Sequence, residues 1–332
     1  MEVVKSMPLY VGLDVHKKTC HATVIDEHGK IVEQRRFVNQ RDEYEYFFKH
    51  IKDAKVAMEA CYCYQPVYEL LEGMGIEVKL AHPNRTRAIA EEKLKMDAKD
   101  SEVLAKLLAM DWLPTAYVPP QEIRDLRELV RLRTYLVMVR TMFKNKIRAE
   151  LAKRWIEIGD PWTKKGKLQL SELEIVGIDH CLPVINALDE RIAELSRLIQ
   201  QKAGESEDAK IIMSIPGIGY FSAMAILAEV GEIERFPNEE KLCSYAGIVP
   251  SLDQSGNKRQ FGHITKEGNV LLRWVLIECV WSHLQHAKNT RLTQFFRRVA
   301  RRRGEQVAAV ATARKLLVAI YWMLKRREKF RP

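Results

Sequence analysis

Three short stretches near the N-terminus, residues 9–15 (LYVGLDV), 19–26 (TCHATVID) and 30–38 (KIVEQRRFV), follow one another through connections of only a few residues. Parallel strands need a crossover of about a dozen residues or more. These three stretches therefore pair as an antiparallel meander, the last two across the turn-prone Glu27-His28-Gly29. This constrains the fold more than any other feature, because everything that follows must pack against that ribbon.

A helix is predicted over 40–51, a buried strand over 55–59 (KVAME), a helix over 64–74, a strand over 76–81 (IEVKLA) and helices through 84–110. The order βββαβαβα is that of the RNase H-like (RuvC-like) α/β fold. Pro114, Pro119 and Pro120 punctuate the chain next. Residues 121–155 then read as one long amphipathic helix, with apolar positions at Leu129, Leu132, Leu136, Val139, Phe143, Ile147 and Leu151. After a polar stretch holding Pro161 and Gly166, a second helix carries Ile178, Ile185, Ile192 and Ile199 at sevens. The pair predicts an antiparallel coiled-coil arm or a dimer seam, with ordinary core packing as the alternative. From residue 208 the text becomes a mainly helical domain with a Gly- and Pro-bearing loop region and helices near 269–286, 291–303 and 305–327. The expected domains are 1–115, 116–207 and 208–332, in line with a chain of 332 residues exceeding one core.

The net charge of +10 is concentrated at one end: residues 291–332 hold 13 Lys and Arg against 2 Asp and Glu, and the rest of the chain is balanced. A field so placed suits a polyanion such as nucleic acid, although a solvated basic helix face has the same composition. The six cysteines show no paired CxxC spacing and read as inert buried thiols. His283 and His286 stand three apart but have no further ligand-type cluster beside them. With neither a run of about 18 apolar residues nor a signal-peptide pattern, a cytoplasmic protein with no membrane partner is expected.

Asp14 lies in the first strand, Glu59 ends the fourth, and Asp97 with Asp100 opens a helix in KMDAKDSEVLAKLL. In the expected fold the first and fourth strands are neighbours, and residues three apart share a helix face, so all four acids can converge. Clustered carboxylates repel unless cations intervene. Hard divalent ions, Mg2+ or Mn2+, meet that need and support phosphoryl transfer. Each acid alone also fits a structural or helix-capping role. The opening GLDVHKKTCHATVIDEHGKIV also resembles the first hairpin of actin-like kinases, but its turn is His16-Lys17-Lys18, without the glycines and hydroxyls that cradle phosphate.

SIPGIGYFSAMAIL reads as a helix-hairpin-helix in which Gly217 and Gly219 permit a tight turn and free N–H groups for a phosphate, or as an apolar hairpin packing two helices. Downstream, Ser255 precedes Gly256 in a predicted loop, with Lys258, Arg259, Lys266 and Arg273 close in sequence. By spacing alone Ser255-Gly256 reads first as a turn. A cationic site could also favour a serine alkoxide and hold a scissile phosphate. Together with Arg301, Arg302 and Arg303, these cations are the expected nucleic-acid contacts.

GLDVHKK, the MEA around Glu59, DAKDSEVLAKLL, IPGIG, YAGIVP, Ser255-Gly256 and ITKEGNVLLR jointly resemble the DEDD-type insertion-sequence transposases of the IS110 family, over nearly the whole chain. The resemblance implies that Asp14, Glu59, Asp97 and Asp100 are metal-binding acids and that Ser255 forms a covalent 5′-phosphoserine link to DNA. It further implies a noncoding bridge RNA that pairs with donor and target DNA, a coiled coil between domains, and dimers that assemble into a synaptic tetramer. Two rivals remain at this stage. One is a RuvC-like junction-resolving nuclease using water as nucleophile, and the other is a non-catalytic nucleic-acid scaffold.

Overall fold

The computed structural model describes residues 8–51, 53–90, 97–255 and 258–331, with backbone alone at 84, 90, 97, 252–255 and 258–261. The chain divides into two compact units, 1–118 and 119–332.

The first unit is built on a five-stranded sheet of order β3-β2-β1-β4-β5. β1 (Leu9–Val15), β2 (Thr19–Ile25) and β3 (Ile31–Val38) form the expected antiparallel meander. β4 (Ala54–Glu59) then pairs parallel to β1, and β5 (Glu77–Ala81) parallel to β4. The pleat separates two faces. Val11, Leu13, Val15, Val56 and Met58 meet helices α1 (Arg41–Phe48) and α2 (Tyr64–Gly73) through Tyr44, Phe47, Phe48, Val67 and Leu71. On the other face, Tyr10 and Ala57 meet Leu104 and Leu108 of α4 (Asp97–Ala109), which follows α3 (Pro83–Ala90). Covered on both sides, β1 is buried from Val11 to Val15. β3 lies at the sheet edge, and Phe37 is its buried residue.

α4 sits closer to β1 than side chains normally allow. A Cβ on Gly12 would fall 1.9 Å from the Ser101 carbonyl oxygen and 2.7 Å from the Ala105 nitrogen. The Thr23 and Ser101 hydroxyls, both buried, lie 2.7 Å apart across the same contact. Glycine is therefore required in β1 to bring the helix down on the strand.

In the second unit, α5 (Gln121–Ala152) and α7 (Val176–Glu205) pack along their lengths, joined by α6 (Lys164–Ser171). Arg133 bonds Ser196, Arg140 bonds Asp189, and Glu150 packs on Gly177, so numbers rise on one helix as they fall on the other. The pair is antiparallel. Ile178, Ile185, Ile192 and Ile199 are all buried. Leu132 departs from the expected apolar face: it is 45% exposed, in a stripe with Tyr135, Met138 and Met142. α6 falls within the stretch that reads as merely polar. Thr163 caps it, accepting from the Gly166 N–H at 3.1 Å.

Leu126 and Val130 of α5 with Ile199 and Ala203 of α7 enter the core shared by α8 (Glu207–Met213), α9 (Tyr220–Val230), α10 (Glu239–Tyr245), α11 (Val270–His286), α12 (Arg291–Arg303) and α13 (Glu305–Arg326). Helix α13 is long and apolar enough to cross a bilayer by composition, yet its buried face, from Ala308 to Leu324, is part of this core. The expected loop region contains α10 and a two-stranded ribbon, β6 (Pro250–Ser255) against β7 (Lys258–Ile264). Ser255 is thus the last residue of a strand rather than part of a long loop. The ribbon's sequence is polar, so periodicity hides it; the Gly256-Asn257 pair between its strands is the hairpin signal that betrays it.

Candidate active site

Asp14 is the penultimate residue of β1 and Glu59 the last of β4. These strands are parallel, with Leu13 opposite Met58. The next residues on each, Asp14 and Glu59, therefore lie side by side on the opposite face from Leu13 and Met58, which is the face that α4 covers. Asp14 is 6% exposed, and Glu59 is half-buried. The His16 imidazole, just past the strand end, donates from Nε2 to Asp14 Oδ2 at 3.1 Å.

The start of α4 lies over the same end of the sheet. Asp14 pairs across to His21 of β2, and His21 to Arg36 of β3. A pocket of about 130 Å3 is lined by His21, Thr23, Arg36, Ala98 and Ser101. Ala98 and Ser101 belong to the first turns of α4, so its N-terminal residues Asp97 and Asp100 are carried to the Asp14 end. Asp100 is exposed, and the Asp97 side chain lies outside the described residues. Among the described residues no three His, Cys, Asp or Glu side chains form a closed ion site.

The donor chemistry here is hard oxygen. Cys61 and Cys63, just after Glu59, turn their sulfurs to the Val15 carbonyl at 3.4 and 3.7 Å and lie 3.4 Å from each other. Burial pushes the Cys61 thiol up to about 11 and the neighbouring Cys20 thiol up to about 12. Both remain protonated near neutral pH and offer no thiolate to a soft metal. Carboxylates on adjacent strands fit a divalent ion bound through oxygen. All six cysteines are free, but Cys61 and Cys63 are only partly buried, which departs from the expectation of uniformly buried thiols.

In the second unit, Ser255 ends β6, and Lys258 and Arg259 open β7; the side chains of all three lie outside the described residues. The IPGIG turn joins α8 to α9. Gly217 has φ +88°, and a Cβ on it would meet the His283 nitrogen and the Ser282 backbone at 2.7 Å, so this glycine seats the turn on α11. Gly219 is exposed at the N-cap of α9. His283 is committed to the fold, bonded to the Pro216 carbonyl and the Thr290 hydroxyl. Arg273 donates to the Ala246 carbonyl at 3.1 Å. Lys266, Arg301, Arg302 and Arg303 are exposed. The His21 and Arg36 side chains of the small pocket and the His16 contact escape motif reading, because both arise from strand pairing and a turn.

Comparison with known proteins matches both units. A DEDD transposase family model of the IS110 type covers residues 11–155, and the model described as "Transposase IS116/IS110/IS902 family" covers residues 209–297. The transposase for insertion sequence element IS1111A of Coxiella burnetii is 31% identical, the match taking in 97% of this chain and 91% of that protein. The transposase for insertion sequence element IS1328 of Yersinia enterocolitica is 24% identical over 95% of this chain and 96% of its own length. The DEDD unit implies use of a divalent metal, and the relatives imply DNA as partner. With similarity running through both units, the chain belongs to the IS110 family of insertion-sequence transposases.

Proposed function

We propose that this DNA transposase cuts and rejoins strands with two sets of residues: an RNase H-like carboxylate site of Asp14, Glu59, Asp97 and Asp100, and the nucleophile Ser255. The observation that carries the reading is the pairing of Asp14 and Glu59 at adjacent parallel strand ends beneath the helix that Asp97 and Asp100 begin. The four acids hold divalent ions, Mg2+ or Mn2+, which when bound supply positive charge to the phosphodiester oxygens. His16 orients Asp14, and His21 and Arg36 lie on the same sheet row to meet phosphate.

In the first step the Ser255 hydroxyl oxygen attacks phosphorus. The P–O3′ bond breaks, the departing 3′ oxygen takes a proton, and the 5′ phosphate stays on serine. A 3′-hydroxyl from a second duplex then attacks the phosphoserine and releases Ser255, conserving bond energy without an external energy source. Lys258, Arg259, Lys266 and Arg273 stand near Ser255 in sequence and supply charge for the phosphate; Gly217, Gly219 and Arg301, Arg302 and Arg303 complete the contact set for donor and target DNA.

Family membership supports guidance by a bridge RNA. The exposed stripe Leu132, Tyr135, Met138 and Met142 on α5 supports a homodimer, two of which form the synaptic tetramer.

Covalent trapping tests the reading. Reactions with labelled DNA are quenched in denaturant, and protein attached to a 5′ phosphate is sought. Wild type should give the adduct with Mg2+ present, Ser255→Ala none, and Asp14→Asn none despite normal DNA binding. Cleavage by Ser255→Ala would favour the water-using nuclease instead. Undiminished recombination by Asp14→Asn would remove the acids from the catalytic machinery.

A further inference from the structure

A cavity within the second unit, away from Ser255's end of the ribbon, takes in Lys266 and Arg303 together with residues given no role so far. It is a groove of about 1180 Å3 between β7, the start of α12 and the outward face of α13. Its floor is aliphatic, formed by Val307, Val310, Ala311, Val318 and Ala319, with Phe295 at one side. Lys266, Arg291, Arg303, Arg314, Lys315 and Arg331 line it, and no carboxylate does so among the described residues. Arg331 pairs with Glu328 at 3.4 Å, and the other five have no ion-pair partner among the described residues. Lys315 Nζ sits 4.8 Å from the centre of the Phe295 ring, and Arg298 packs against the same ring at 5.5 Å.

We infer that this groove binds an unpaired DNA strand, phosphates on the cations and bases against the aliphatic floor and Phe295. Two physical arguments favour that occupant. Five uncompensated positive charges call for a polyanion, and an apolar peptide or lipid tail would leave them desolvated without partners. A duplex keeps its bases stacked inside and would set phosphates against valine and alanine, whereas an unpaired strand has exposed base faces for the floor. The inference rests on the family's action on DNA, and not on the roles proposed for the acids or Ser255.

The test uses the full chain in EDTA, where no cleavage occurs, and measures the fluorescence anisotropy of labelled oligothymidylate, oligouridylate and a mixed-sequence duplex across a salt series. For the double variant Arg291→Gln/Lys315→Gln, the single-strand salt slope should fall by roughly 1.4, about 0.7 for each lost phosphate contact. Phe295→Leu should weaken oligothymidylate binding about tenfold, the scale of one lost base stack, with duplex binding changed less than about twofold. Equal losses for duplex and single strand, no loss for either, or tighter binding of oligouridylate would each overturn the inference. Should a variant fail to fold, wild-type protein crosslinked by light to an iodouracil-substituted strand replaces it. Adducts on the α12–α13 peptides are then expected, and adducts elsewhere sink the groove. Since the acids and Ser255 play no part in binding under EDTA, failure here leaves the trapping result intact, and the converse holds too.

Discussion

Gly12 of β1 lies so close to Ser101 of α4 that a methyl group on it would fall 1.9 Å from the Ser101 carbonyl oxygen. The obstacle is backbone, which cannot rotate aside, so the helix must lift. Gly12→Ala should destabilise the first unit by about 1–3 kcal/mol, the usual range for overpacking, read from urea melts. Because α4 carries Asp97 and Asp100, recombination should fall further than stability alone accounts for. A variant with wild-type activity would show that the acid geometry does not depend on this contact.

The two glycines of IPGIG should respond differently. Gly217 has φ +88° and backbone atoms of Ser282 and His283 in the way of a Cβ, whereas Gly219 has nothing within 4 Å and ordinary dihedrals. Gly217→Ala should cost at least about 1–3 kcal/mol, and Gly219→Ala less than about 1 kcal/mol. Thermal melts of the two single variants decide it; equal effects would contradict the packing described.

Glu229 is fully buried, and Arg131 grips it with two hydrogen bonds of 2.7 Å, with the Asn269 amide donating as well. Burial works to raise the carboxyl's pKa, but Arg131, with the Asn269 amide and the Arg127 charge, outweighs it and holds the value below the ordinary 4.5. A group depressed in the folded state stabilises above its unfolded pKa, and the contribution is lost as pH falls from about 4.5 through the lower folded value. Arg131→Met should cost about 2–3 kcal/mol at pH 7, less than a fully buried pair because Arg131 is half open to solvent. Burial is then opposed only by the Asn269 amide and the Arg127 charge, so the deficit should shrink as pH falls. Urea melts at pH 7 and pH 4 check this; a deficit that widens in acid would reverse the assignment.

Thiol chemistry offers a fourth check. Burial raises Cys20 to about 12 and both Cys61 and Cys279 to about 11. Iodoacetamide near neutral pH should label native protein slowly, at Cys61 and Cys63 before Cys20, Cys181, Cys243 or Cys279, which are buried. The Cys61 rate should rise about tenfold per pH unit below its pKa, since thiolate is the reacting form. Peptide mass spectrometry would expose rapid labelling at Cys20 as a contradiction.

Much of the architecture is written in local pattern. The meander, the parallel strands at 54–59 and 77–81, and the long helices at 121–152 and 176–205 follow from periodicity, because an element's period depends on the residues inside it. The ribbon carrying Ser255 and the short helix after Thr163 escape the same reading. Their stability comes from turns and neighbours rather than from an apolar stripe of their own.

The sequence by itself determined which acids sit at strand ends and at the opening of a helix, and which family the motifs resemble. It could not decide that Gly12 is the seat on which Ser101 rests, that His16 reaches Asp14, or that cations from 266 to 315 share one groove over an aliphatic floor. Those relations join residues distant in the chain or bent together by a turn. They exist only once packing has chosen which surfaces meet, and neither period nor composition encodes that choice.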